Sequence, residues 1–230
     1  MKKEILDLGP DHYTNEEYQD CLAKLDQIGK WLGGDQATFS TLKRMDPPPE
    51  SILDVGCGSG TLAIKLAQLY PDAKIVGIDL NPVAIQFAQR QRVLICPPLN
   101  HLVFECRKEE RLLEPSKSYD VVMATLVCHH LTDKALIDFI SNACRIAKKR
   151  VILNDLHRHP LALFLFRMIS PVFFRNRLIQ HDGPLSIQRA FKYHEWVELL
   201  AKAGIAPSSY RIRWHWAFRW IVEIEVNNHD

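Results

Sequence analysis

The chain is 230 residues long, 47% hydrophobic and 24% charged, with a formal net charge of +2. That length suits one sizeable domain. The composition excludes a disordered chain, and the near-neutral balance argues against a nucleic-acid partner, which usually meets a concentrated basic face. Six cysteines (21, 57, 96, 106, 128 and 144) are scattered without a CxxC pair, and the start MKKEILDLGP has no apolar core behind its lysines. Both features predict a reducing, cytoplasmic setting without structural zinc or disulfides.

In chain order, residues 15–43 read as polar and helical, interrupted at Gly33-Gly34, and form with their surroundings a helical cap over 1–47. The prolines of DPPPE at 46–50 end that pattern. From 48 to 230 short apolar runs alternate with helical patterns. Strands are predicted at 51–55, 74–79, 102–106, 119–126 and 150–155, and helices at 60–70, 82–92 and 132–148. Asn81 followed by Pro82 reads as an N-cap with proline at the first helical position, and Thr132 as a second N-cap. The last of these helices keeps Leu136, Ile140, Ala143 and Ala147 on one face and ends in Lys148-Lys149-Arg150, where cations suit the dipole. Such alternation predicts an α/β fold with a parallel sheet covered on both sides.

The rhythm then changes. Residues 157–192 are longer than a routine connection, which suits a substrate lid. Within them, PLALFLFRMISPVFF at 160–174 is too short to span a bilayer and is broken by Arg167 and Pro171. Its apolar side chains either complete the core or wall a pocket for a bulky substrate, with Phe164 against the substrate and Arg167 meeting an acidic group. Peripheral contact with a lipid-borne substrate stays open. The final aromatic stretch, 210–226, reads as a hairpin turning near 217–219.

ILDVGCGSGTLAIKLA at 52–67 poses the functional question. Gly56, Gly58 and Gly60 permit a tight turn and close approach of a ligand. The N–H groups of the following helix start favour hydrogen-bond acceptors or negative charge. The dinucleotide fingerprint GxGxxG would need a third glycine at Thr61, so the spacing here is GxGxG instead. Asp54 lies inside the first strand. Asp79 ends the second, nineteen positions after Gly60, where neighbouring strand ends meet at the ligand crevice and a carboxylate can accept both hydroxyls of a ribose.

With ILDVGCGSG, IVGIDLNPVAI and YDVVMATLVCHHL in this order and spacing, the sequence resembles the class I S-adenosylmethionine-dependent methyltransferases over about residues 48 to 226. Within the class it looks most like the branch near the ubiquinone and menaquinone methyltransferases. NDLHRHPLALFLF with HDGPLSIQRAF also looks like methyltransferases associated with bacterial type III polyketide synthases. The resemblance implies a Rossmann-like, doubly wound, seven-stranded sheet, mostly parallel with one antiparallel strand. It implies S-adenosylmethionine as cofactor, with Asp54, Gly56, Cys57, Gly58 and Gly60 toward the methionine moiety, Asp79 on the ribose, Leu80 against the adenine, and Thr125 as a further cofactor-binding residue. Family members usually carry an acid just after the third strand for the adenine amino group. FECRKEERLL places Lys108 there, with Glu109 and Glu110 beside it.

Methyl transfer from a sulfonium needs a base only where the acceptor must lose a proton, and histidine titrates in the useful range. The candidates are His129 and His130 after the fourth strand and His157 after the fifth, with His181 in the predicted lid and Tyr13 in the cap as substrate contacts. Asp155 with Asn154 offers oxygen ligands, but TLVCHH adds no further acid, so no metal is expected. The expected acceptor is a small apolar aromatic molecule. Ala124-Thr125-Leu126-Val127 stands where amino-group methyltransferases carry an NPPY-like signature. Two rival readings are a catalytically silent cofactor-binding partner or sensor, and a nicotinamide-dependent reductase, the latter disfavoured by Thr61 and by the lack of a Tyr-x-x-x-Lys pair. The oligomeric state is not legible.

Overall fold

The structure, a computed structural model, describes residues 3–109 and 111–226. Two cap helices, α1 (Asn15–Trp31) and α2 (Gly34–Leu42), precede an alternating core. The core runs β1 (Ser51–Val55), α3 (Thr61–Leu69), β2 (Lys74–Asp79), α4 (Pro82–Val93), β3 (Leu102–Cys106), β4 (Tyr119–Thr125), α5 (Asp133–Ile146) and β5 (Ala147–Leu156). Helices α6 (Pro160–Phe173), α7 (Arg177–Arg189) and α8 (Tyr193–Lys202) follow, and then the hairpin β6 (Tyr210–His215) and β7 (Arg219–Glu225). The seven strands form one sheet in the order β3-β2-β1-β4-β5-β7-β6. Strand β7, one place in from the edge, runs antiparallel to both β5 and β6. This is the Rossmann-like, doubly wound arrangement expected, with β1 and β4 adjacent at the point where strand order reverses.

The local reasons match the sequence. Ile52 and Leu53 are both fully buried, on opposite faces of β1, as a strand covered from both sides requires. The Asn81 side chain accepts from the Val83 N–H at 2.9 Å, and Thr132 accepts from Ala135 N–H at 3.3 Å, so both predicted caps form. One boundary moves. The helix predicted to 148 stops at Ile146 because Ala147 pairs with Tyr119 and opens β5. Lys148-Lys149-Arg150 therefore lies on a strand rather than on a helix end. Lys149 holds the buried Asp120 at 2.7 Å, and Arg150 pairs with Glu223.

The long segment after β5 is two helices. The greasy stretch does form a helix, α6, but the structure turns most of it outward, where it neither completes the core nor walls the central cavity. Only its back face is covered: Phe166 and Phe174 join α1 residues Tyr18, Cys21 and Leu22 in a small cluster. Helix α7 grips the chain's beginning. Both Asp182 carboxylate oxygens accept backbone N–H groups, from Ile5 at 2.8 Å and Leu6 at 3.1 Å, so residues 4–13 lie as a strap across the cavity. The cap is fastened to the sheet as well, through Asn154 Nδ2 donating to Gly34 O at 2.9 Å and to Thr38 Oγ1 at 3.0 Å. No helix among the described residues is long and apolar enough to cross a membrane.

Candidate functional site

The C-terminal ends of β1, β2 and β4 open into a cavity of about 1630 Å³. Single-ligand pockets commonly measure ~300–1,000 Å³, so this one has room for two molecules. Asp79 is its central polar group. Its Oδ2 accepts from Gly58 N–H at 2.9 Å and its Oδ1 from Asn81 N–H at 2.9 Å. A carboxylate has about four acceptor sites, so both oxygens can still take hydroxyls from a ligand. Leu80, half exposed, lies beside it along the same wall.

Gly56, Cys57 and Gly58 border the cavity, as the resemblance implies, but Gly60 is not among its lining residues. Gly60 adopts φ +74° as the N-cap of α3, and a Cβ there would stand 2.5 Å from Phe104 Cζ and 2.7 Å from Ala88 Cβ. This glycine serves the packing of helix on sheet instead of ligand approach. The turn is also tied to the cap: Ser59 and Thr61 hydroxyls both donate to Asp26 of α1, at 2.6 and 2.7 Å.

The cavity lining also carries opposite charges. Asp54 is buried with Oδ2 lacking any partner, and Thr125 Oγ1 is likewise buried and unpartnered. Both line the cavity, so a ligand N–H or ammonium would satisfy two orphaned acceptors. The buried Arg219 guanidinium lines the same cavity; its Nη1 donates to Asn154 Oδ1 at 3.3 Å. Gly34 makes space for it, since a Cβ there would sit 2.8 Å from its Cζ. A buried carboxylate and a buried guanidinium lining one cavity suit the amino-acid end of a nucleoside, and Asp79 suits its diol. The residues present thus fit S-adenosylmethionine.

Burial, with the neighbouring Asp79 and Asp35 carboxylates, pushes the Asp54 carboxyl from the ordinary 3.8 up to about 8. An ammonium-bearing ligand favours the ionised form, so its binding should release a proton at neutral pH, and affinity should climb as pH rises toward about 8. The sign for the unliganded fold is opposite: a raised carboxyl pKa means that stability declines between about 4 and about 8. Calorimetry in buffers of different ionisation heat measures the proton release. Asp54→Asn should abolish it, and an affinity flat across that window would show that Asp54 is not the titrating partner.

The three histidine candidates part company. His130 lines the cavity, and its Nδ1 lies 2.7 Å from Asp7 Oδ1 on the strap. Burial alone would raise the Asp7 carboxyl. The hydrogen bonds from His130 and Arg189 outweigh it and hold Asp7 well below the usual carboxylate range. Arg189 also donates to His130 O at 2.8 Å, fixing the turn that carries the ring. His129 is buried behind it, with rings 4.2 Å apart and Nδ1 at 2.6 Å from Asp155 Oδ1. Asp155 further accepts from His129 N–H and Leu156 N–H, so its oxygens are taken up internally. His157 lies outside the cavity lining, packed on Trp220 at 4.8 Å and His159 at 5.3 Å.

Of the expected substrate contacts, Tyr13 borders the cavity and its hydroxyl accepts from Asn81 Nδ2 at 2.9 Å. Phe164, Arg167 and His181 do not reach it. The first two project from the exposed side of α6, and His181 is held at the surface by Asp182 at 2.6 Å. After β3, Arg107 donates its backbone N–H to Asp79 O at 2.8 Å and its guanidinium to Glu114 at 2.8 Å, while Lys108 and Glu109 line the cavity. Glu110 lies outside the described residues. Asp7, Asp26, Arg189 and Arg219 carry no motif. They reach the site from distant parts of the chain, so sequence inspection passes over them.

Comparison with known proteins agrees with this geometry. The methyltransferase domain family model matches residues 52–150. The release factor glutamine methyltransferase of Flavobacterium psychrophilum is 26% identical over 84% of this chain and 63% of its own length. The ubiquinone biosynthesis O-methyltransferase of Methylobacterium nodulans is 32% identical over 43% of this chain and 36% of its own. The chain thus spans less than two thirds of either relative. Among solved structures, the plantazolicin methyltransferase BpumL, in complex with a desmethyl analogue and S-adenosylhomocysteine, superposes with a TM-score of 0.69 at 16% identity, covering 95% of this chain and 92% of that one. The methyltransferase domain family model thus accounts for residues 52–150, and the chain shares its fold with this solved methyltransferase structure.

Proposed function

We propose that the protein transfers the methyl group of S-adenosylmethionine to an oxygen or carbon of a small apolar, aromatic acceptor such as a quinone precursor, a phenolic lipid or a polyketide. The observation that carries this reading is one cavity holding both a nucleoside-and-amino-acid site at Asp79, Asp54 and Arg219 and a carboxylate-oriented imidazole at His130. Asp79 would hold the ribose hydroxyls, and Asp54 with Thr125 the ammonium. The bound cofactor supplies a methyl already activated by its sulfonium. The protein's own work is alignment, exclusion of water and removal of one proton. Alignment alone can contribute ~7–11 kcal/mol.

With Nδ1 turned to Asp7, His130 keeps Nε2 for the acceptor's proton, and the Asp7 carboxylate stabilises the imidazolium that results. Asp7 acts through His130 and is a positioning residue. Leu6, Leu126 and Leu131 line the same cavity as His130 and favour an apolar ring. The similarity to a ubiquinone biosynthesis enzyme supports an acceptor of the quinone-precursor kind. Leu126 and Val127 in place of an amide-gripping signature argue against a glutamine side chain, in spite of the release-factor relative.

The test is label transfer from methyl-labelled cofactor to a panel of phenols, hydroquinones, resorcinol-type polyketides and a glutamine-bearing peptide. Label in an aromatic product is expected. Label on the peptide alone would overturn the acceptor class. Tight binding of S-adenosylhomocysteine with no labelled product from any acceptor would favour a silent cofactor-binding module.

A further inference from the structure

The outward face of α6 is an exposed apolar feature that the methyl-transfer reading leaves unused. Wound at about 3.6 residues per turn, Leu161, Phe164, Leu165, Met168, Ile169, Val172 and Phe173 share an arc of about 180°. All seven are exposed, with Val172 at 75%, Met168 at 62%, Phe173 at 61% and Phe164 at 60% of their surfaces open. Isolated surface leucines need no explanation, but a contiguous helical face of this kind marks an interaction site.

The hairpin tip extends the patch. His159, the N-cap of α6, stacks on Phe218 at 5.0 Å, and Phe218 meets Trp214 edge-on at 6.4 Å. Trp214 and its neighbour Trp216 are both exposed. Tryptophans of this sort suit the boundary between water and hydrocarbon, where an apolar ring and a polar N–H find separate partners.

Charge selects the occupant. Between Asp155 and Asp182 the sequence has no acidic residue but four arginines, at 158, 167, 175 and 177. Arg158 is spent on Glu195 and Arg177 on Glu17. Arg167, at the border of the apolar arc, and Arg175, just past its end, are exposed and have no carboxylate partner among the described residues. A second copy of this chain docked face to face would offer Arg167 only another arginine and no acid. A surface of anionic phospholipid answers both parts, taking the apolar arc among its acyl chains and the guanidinium groups at its phosphates.

We propose that α6, with the Trp214–Trp216 tip, is an interfacial helix that seats the protein on anionic phospholipid membranes without crossing them. This seating is independent of which acceptor is methylated.

Flotation with vesicles tests it. The wild-type chain should float with phosphatidylcholine vesicles containing phosphatidylglycerol, less with pure phosphatidylcholine, and less at high salt. Met168→Glu with Val172→Glu should weaken vesicle binding at least tenfold. Arg167→Gln and Arg175→Gln should each weaken it about fivefold on the anionic vesicles alone. All four positions are exposed, so S-adenosylhomocysteine binding, read by calorimetry, should stay at the wild-type level in every variant. Three results would overturn the proposal: a wild-type chain left behind by anionic vesicles, glutamate variants that float as well as wild type, or a wild-type dimer that the glutamate pair splits and that ignores vesicles. The last would assign the face to a second copy.

Discussion

Replacing His130 with glutamine is expected to lower kcat by ~10²–10⁴-fold, the span that a positioned general base contributes. The effect should fall on kcat, with the Kd for S-adenosylhomocysteine nearly unchanged, because the ring borders the cavity beside the strap, whereas the proposed nucleoside contact is Asp79. Two comparisons separate a base from a residue that merely shapes the wall. An acceptor already ionised at the assay pH should lose little on the same substitution, since it has no proton to give up. Asp7→Asn should reproduce part of the kcat loss while keeping the shape of the cavity wall, because the amide can still contact Nδ1 but no longer carries the charge that stabilises the imidazolium. An unchanged kcat in both variants, with an un-ionised acceptor, would remove His130 from the chemistry.

Asp79→Ala should weaken cofactor binding by about 10–100-fold, equivalent to losing ~1.4–2.8 kcal/mol of charge-assisted hydrogen bonding. Part of that loss has an internal origin. The same carboxylate accepts Gly58 and Asn81 N–H groups, so truncation also frees two donors in a partly buried turn. A cycle with a deoxyribose analogue isolates the direct term: if Asp79 grips the hydroxyls, the analogue binds the wild-type chain more weakly than the parent nucleoside does, and the alanine variant no longer tells them apart. Equal discrimination in both proteins would show that the sugar is held elsewhere.

The sheet was legible because each buried strand writes itself as an apolar run with turn residues beside it. The helix starts at Asn81 and Thr132 were legible because capping is local chemistry, settled within three residues. Asp79 could be located by position alone, as the last residue of a strand next to the glycine turn. What escaped the sequence is what depends on distance. Asp7 lies 123 residues from the histidine it contacts, and Arg219 reaches Asn154 across 65. Gly60 looked like its two companions because a formula of alternating glycines carries no information about Phe104, which decides its role. The greasiness of α6 was legible, but hydropathy reports only that a side chain avoids water. It does not say whether the shelter comes from this chain or from something outside it.

The strap over the cavity has a further consequence. Asp7 reaches His130 only while residues 4–13 lie against α7, pinned through Asp182 to Ile5 and Leu6 and through Arg189 to Asp7. If that segment lifts to exchange spent nucleoside for fresh, the carboxylate leaves the imidazole in the same movement. Loading and reaction would then exclude one another in time: an open roof would leave the His130 ring unbraced, and a braced ring would mean that the chamber is shut.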